Sequence, residues 1–391
     1  MSTRLAAILA LPLLAACVAR PAEVRVGFDA TGVTSTHASG VADRETGRRV
    51  NVDDPVRVAS VSKLVVALGV MRLREQRRID LDRDVGEYLG WPVRNPNFPD
   101  RPVTLRHLLG HRSGLKDDVE YAVPYGRRLS DALAERKAWD AAHAPGTYFR
   151  YANLNFPVVA SVVERVTGER FDHAMRRLVL EPLGIDACFN WATCSGDAVA
   201  RAVVLYRANG EVATDHPAAR RPDCPARSEI GCDLSAYGLG ENGALFSPQG
   251  GLRISARGLA RIGTMLLRGG DGFLRPESIA EMERVGWTYD GANGDTSGGF
   301  YCRYGLATQI LATPVAGCAD DPFGATRVGH AGEAYGLRSG LWIDRRTGRG
   351  VAFFATAVPD GDRGARSAYA TAEERLGRLA PRGRRRGRAE R

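Results

Sequence analysis

Lysine is scarce in this chain. Only Lys63, Lys116 and Lys137 occur among 54 basic residues, the other 51 being arginine. Arginine stays protonated in proteins, so a step that needs a neutral amine base has only these three residues to draw on. No C-x-x-C or H-E-x-x-H occurs, which leaves a zinc site without its usual ligand spacing. His107 and His111 stand four apart, but Gly110 ends the helix predicted between them, and both are read as structural. The absence of G-x-S-x-G argues against an α/β-hydrolase nucleophile elbow. No internal repeat is visible, and no cofactor or metal is implied.

The first residues carry Arg4, an apolar run from Leu5 to Leu14, and then Ala15, Ala16 and Cys17. That run is too short to span a bilayer permanently and reads as an export signal over residues 1–16. Its end resembles a bacterial lipoprotein box, which implies that Cys17 is lipidated and anchors the mature protein to a membrane. By the same resemblance, Val18 in place of Asp points to the outer membrane, so the expected location is the cell envelope, facing the periplasm. Beyond Cys17, the cysteines form three close pairs, Cys188/Cys194, Cys224/Cys232 and Cys302/Cys318. Export permits disulfides, and local staples are the expectation, although other connectivities stay open. The net charge of +9 is concentrated in a basic tail, residues 376–391, where Arg382, Arg384, Arg385, Arg386, Arg388 and Arg391 follow Pro381. Such a tail is expected to be disordered and solvated, and an exported chain does not point to nucleic acid.

With 391 residues, 44% hydrophobic and 25% charged, the chain is long enough for a substantial core. Strands are predicted at 23–28 and 34–41, with a turn around Gly47. Apolar residues recurring through Leu64, Val65, Leu68 and Met71 predict a buried helix over 61–76, with Ser60 at its start. Further helices are predicted at 104–109 capped by Thr104, at 157–166 capped by Asn155 and followed by Gly168, and at 255–267. A hairpin is expected at 203–214, and later strands at 306–311, 326–329, 340–344 and 351–357. Strands at both ends with helices between them predict an α+β fold. The expected architecture is an antiparallel sheet flanked by helices (residues about 24–85 and 247–375) with an inserted, mostly helical lobe (about 86–246) and a cleft between.

Three constellations carry chemistry. In Ser60-Val61-Ser62-Lys63, positions three apart share a helix face, so Lys63 can take the proton of Ser60 if burial and the helix N-terminus keep it neutral. In Tyr151-Ala152-Asn153, the phenol can relay a proton to a leaving group, and the amide can hold both the lysine and a substrate carbonyl. In His330-Ala331-Gly332, at the expected end of a strand, the glycine lets a substrate lie against the strand edge. The N–H of Glu333 can then pair with that of Ser60 as an oxyanion hole.

This order, S-x-x-K, Y-x-N, H-x-G, resembles the serine β-lactamase-like family of class C β-lactamases, D-alanyl-D-alanine carboxypeptidases and related esterases. His111 to Leu115 is similar to that family's H-T-S-G-L turn, and Gly250 to Arg261 to its G-G-L-x-S-T stretch. The resemblance implies Ser60 as acylated nucleophile, Lys63 and Tyr151 as general base and acid, and Asn153 as a substrate-positioning amide. It makes His330 a third-motif cation or hydrogen-bond donor.

The third motif departs from the Lys-Thr/Ser-Gly of most lactamases. Ala331 removes a hydroxyl, His330 makes the charge pH-dependent, and Glu333 sets a carboxylate beside the oxyanion position; Arg338 is a candidate replacement contact for a substrate carboxylate. These departures favour an ester or a peptidoglycan-like D-amino-acid amide as the acyl substrate over a β-lactam. The alternatives are a class C type β-lactamase, a non-catalytic envelope binding module on the same scaffold, and an adaptor acting through its basic tail. The oligomeric state stays open.

Overall fold

The computed structural model describes residues 20–213 and 221–379; the leader with Cys17, the end of the 203–214 hairpin and the arginine-rich tail lie outside the described residues. The first strand, Glu23–Asp29, alternates fully buried Val24, Val26 and Phe28 with residues of the opposite face, the period-2 pattern of a half-covered strand. It pairs on one side with Gly32–Ser39 and on the other with Arg349–Ala355, so both ends of the described chain meet in one sheet. From there the sheet continues through Leu337–Asp344, Arg327–Ala334, Gln309–Leu311, Arg303–Tyr304 and Trp287–Thr288, all antiparallel, eight strands in total.

Strands Leu337–Asp344 and Arg349–Ala355 are buried on both faces. Leu341, Ile343, Ala352 and Phe354 enter the large core beneath helices Val61–Glu75 and Ala256–Leu267. Trp342, Val351, Phe353 and Ala355 pack on the other face against Tyr369 and the short helix Thr371–Leu376. Among the described residues between the nucleophile helix and Leu252, the chain is helix and loop apart from short bridges and the two-residue strand Cys188–Phe189. That strand forms a small second sheet with Leu252–Ile254 and Val56–Arg57, which carries the chain to Ser60. The observed class is the expected antiparallel α+β architecture.

Several boundaries differ from expectation, each for a local reason. The expected strand at 34–41 breaks at Gly40 (φ 86°), where a Cβ would stand 1.9 Å from the Pro21 carbonyl oxygen. Residues Val41–Asp43 then pair with Arg48–Arg49 as a separate ribbon. Asn155 does not cap its helix: Leu154 takes that position, and Asn155 is fully buried in the first turn. The expected strand at 326–329 runs on to Ala334 and returns through Tyr335 (φ 54°) and Gly336 (φ 73°) as a hairpin with Leu337–Asp344. His330 is therefore in mid-strand and not at a strand end.

The cysteine pairs join as three disulfides, Cys188–Cys194, Cys224–Cys232 and Cys302–Cys318. Among the described residues no helix is long and apolar enough to cross a membrane.

Helix Ala256–Leu267, capped by Ser255 through the amide of Gly258, lies close on the sheet because Gly263 faces the ring of Phe28. A Cβ at Gly263 would stand 2.1 Å from the ring's Cζ. Alanine would gain about 1 kcal/mol of helix propensity, but overlap with a fully buried ring costs roughly 1–3 kcal/mol. Gly263→Ala is therefore expected to lower the urea unfolding midpoint; a raised midpoint would mean that helix and sheet can separate without cost.

Candidate active site

Ser60 stands where the chain enters helix Val61–Glu75, directly after Ala59, a non-glycine residue at φ 46°. Such a backbone persists only when its neighbours hold it. Here the Val58 amide donates to Leu252 O at 3.0 Å and Ser339 Oγ donates to Val58 O at 2.8 Å. The Ser62 hydroxyl donates to Ala59 O at 2.6 Å and accepts from the Leu252 amide at 3.1 Å. Sheet, G-G-L stretch and nucleophile turn are thus bolted together around one strained residue.

One helical turn on, Lys63 is completely buried. Its Nζ lies 3.0 Å from Ser60 Oγ, 2.9 Å from Asn153 Oδ1 and 2.7 Å from the Gln249 main-chain oxygen. Burial pushes its pKa down to about 7; the Asp117 carboxylate opposes this and Arg57 reinforces it. Two of the three partners are carbonyl oxygens that can only accept. In its neutral form the amine can satisfy both with its two N–H groups and leave its lone pair for the third partner, the hydroxyl of Ser60.

Tyr151 lies between two rings, His111 at 4.2 Å and Tyr301 at 4.4 Å between centroids. Its buried hydroxyl lies near those of Ser60 and Tyr301 without a hydrogen bond of regular geometry, and the stacked rings set its position. Burial pushes the phenol well above its ordinary pKa, opposed by the nearby Ser60 and Tyr301 hydroxyls, and it remains a proton donor.

The loop that presents Tyr151 and Asn153 is held from beneath. His111 Nδ1 accepts from the Ala152 amide at 3.1 Å and lies 3.0 Å from Asn155 Nδ2, while Ser113 Oγ donates to Asn155 Oδ1 at 2.6 Å. Burial, with Lys63 and His330 nearby, keeps His111 far below its ordinary pKa and neutral, in the structural role expected of it. Sequence reasoning missed Asp117, whose carboxylate accepts from Asn153 N, Asn153 Nδ2 and Leu154 N at 2.8–2.9 Å. It also missed Tyr301 and the Gln249 carbonyl. The available signal for Asp117 was its place directly after the His111–Leu115 turn, and for Tyr301 its adjacency to Cys302.

The third motif is placed differently from its neighbours. The His330 ring is 1% exposed and does not line the cavity. Its Nε2 meets Tyr304 Oη at 2.7 Å and its Nδ1 meets Ala331 O at 2.6 Å. Burial and then Lys63 push its pKa down to about 3, leaving a neutral ring that braces the strand from behind. Gly332 is pressed against the nucleophile turn: a Cβ there would stand 2.3 Å from Val58 O and 3.2 Å from Ser60 N. Glu333 lies directly opposite Arg338 across the hairpin and pairs with it at 2.8 Å.

Ser60, Tyr151, Asn153, Gly332, Glu333 and Arg338 all line one cavity of about 820 Å³, which also receives Tyr121, Tyr301 and Glu373. Among the described residues no cluster of His, Cys, Asp or Glu could hold a metal ion.

The family model described as Beta-lactamase matches residues 6–375. Esterase EstB of Burkholderia gladioli is 29% identical over 344 residues, 83% of each chain. The octameric penicillin-binding protein homologue from Pyrococcus abyssi superposes with a TM-score of 0.66 at 19% identity, covering 91% of this chain and 72% of that one. EstCE1, a hydrolase with promiscuous acyltransferase activity, gives a TM-score of 0.64 at 23% identity over 91% of both chains.

Because Asp117 both anchors Asn153 and opposes the lowered pKa of Lys63, Asp117→Asn is expected to cut kcat about 10- to 100-fold. The acid limb of its pH–rate profile should move to lower pH. An unchanged profile would show that the carboxylate does not act on Lys63.

Proposed function

The chain belongs to the beta-lactamase family, and we propose that it is a serine hydrolase that cleaves short acyl esters, or D-amino-acid amides, through an acyl-enzyme on Ser60. The observation that carries this reading is the buried amine of Lys63, held by two carbonyl acceptors and aimed at the Ser60 hydroxyl.

In the first half-reaction Lys63 takes the Ser60 proton as Oγ attacks the substrate carbonyl. The developing oxyanion is assigned to the main-chain N–H groups of Ser60 and Glu333, beside the close approach that Gly332 permits. Tyr151, protonated and adjacent to Ser60, gives the leaving group its proton. Water, activated by the same Lys63–Tyr151 pair, then releases the acyl group. Asn153 holds Lys63 through its oxygen and Asp117 through its nitrogen, so its substrate-positioning role is confined to the remaining N–H of that amide.

The esterase reading ahead of a β-lactamase rests on the third motif, where the neutral, buried His330 and Ala331 offer neither the cation nor the hydroxyl that would hold a drug carboxylate. The similarity to Esterase EstB leans the same way. A non-catalytic binding module has less support, since it has no use for a lysine stripped of water. The envelope location and the lipid on Cys17 belong to the same proposal and rest on the leader sequence alone.

With p-nitrophenyl acetate, Ser60→Ala is expected to lose about 10³-fold or more in kcat/KM. In the native enzyme kcat/KM should rise with pH through about 7 as Lys63 loses its proton. Retained turnover in Ser60→Ala would end the proposal. A stable adduct on Ser60 after incubation with a penicillin, seen by intact mass, would instead favour the peptidase branch.

A further inference from the structure

The strand that carries Gly332 ends beside a charge pair whose partners the hairpin sets face to face. Arg338 is buried, its side chain 6% exposed, whereas the Glu333 side chain is 65% exposed, and the two meet at 2.8 Å within the cavity wall. Their register is direct, Glu333 opposite Arg338 and Gly332 opposite Ser339, so the pair sits one residue beyond the closest approach of this strand to the Ser60 amide. A second carboxyl, Glu373, is buried in the same wall and feels the Arg338 charge. Its Oε2 is occupied by the Ala370 amide at 2.9 Å, and burial pushes its pKa up to about 8. Arg338 thus forms its ion pair with Glu333, while Asp360 and Asp362 line the same cavity.

We propose that Glu333 is a specificity determinant that occupies Arg338 and thereby makes the site select leaving groups without a carboxylate. This deepens the serine hydrolase reading and rests on it. A leaving group lying along the strand past Gly332 reaches Glu333 before it reaches Arg338. A carboxylate there meets a like charge and finds the buried guanidinium already paired, while a neutral or cationic group meets neither obstacle. Removing the Glu333 charge takes from the buried Arg338 its ion-pair partner, a condition that favours binding of a substrate carboxylate. The cavity also receives Arg57 and Arg363, so the test has to separate Arg338 from them.

The experiment compares phenylacetyl thioglycolate, whose leaving group carries a free carboxylate, with its methyl ester, by thiol release at pH 7. The readout is the ratio of kcat/KM for acid over ester, which cancels any general loss of activity in a variant. The native enzyme is expected to favour the ester. Glu333→Gln should raise the acid-to-ester ratio by about tenfold or more, and adding Arg338→Ala should return it to the native value.

A native preference for the free acid would overturn the proposal. So would a ratio unmoved by Glu333→Gln, or a raised ratio that survives Arg338→Ala but falls with Arg57→Ala. If neither thioester is turned over in a Ser60-dependent way, the hydrolase reading itself fails, a result distinct from turnover with an unmoved ratio.

Discussion

Everything in the site depends on keeping one ammonium-capable side chain out of water. Lys63 is enclosed by its own helix, the Tyr151–Asn153 loop and the Gln249–Leu252 stretch, and each supplies a wall or an acceptor. Burial of an amine is unfavourable for its charged form, and the fold compensates with two fixed carbonyl oxygens instead of a directly bonded carboxylate. Asp117 stands one residue removed, bonded to Asn153 and not to Lys63, close enough to moderate the pKa without locking the proton on. Moving that carboxylate into direct contact would convert a base into a structural ion pair.

The same economy governs the surroundings. Close approach is achieved by small or hydroxylic residues: Gly332 against the nucleophile turn, Gly263 against Phe28, and Ser62 and Ser339 spanning backbone carbonyls. Aromatic rings fix what hydrogen bonds leave free. Tyr151 has its ring clamped by His111 and Tyr301 while its hydroxyl faces the reaction, and the Cys302–Cys318 disulfide ties down the segment next to Tyr301.

The parts of this arrangement that were legible in the sequence are those encoded by short covalent spacing. Ser60 and Lys63 share a helix face by periodicity alone, and Tyr151 and Asn153 stand next to a helix start. The three cysteine pairs join neighbours in the chain, as local staples would. Features that depend on long-range partners were not legible. Asp117 acts on a residue 36 positions away, and its place just past the His111–Leu115 turn does not reveal that partner.

A single histidine in a strand does not declare which face it occupies, and in the structure the His330 ring turns inwards to Tyr304, away from the cavity expected for it. The hairpin after it was cut short because Ala334, Tyr335 and Gly336 do not carry the Asn-Gly or Asp-Gly signal of a tight turn. Recognising that turn would have placed Glu333 opposite Arg338 by register alone. In the sequence alone Glu333 reads as a repulsive charge and Arg338 as a separate carboxylate contact.

With only three lysines in the chain, the protonation of Lys63 can be observed directly. The most direct test is a heteronuclear NMR titration of lysine side chains labelled at Nζ, with Lys116→Arg and Lys137→Arg identifying the remaining signal. The account predicts that Lys63 titrates near 7, below the ordinary lysine value of 10.5. A Lys63 midpoint near 10.5 would contradict it, because the amine would then be charged at neutral pH and could not accept the proton of Ser60.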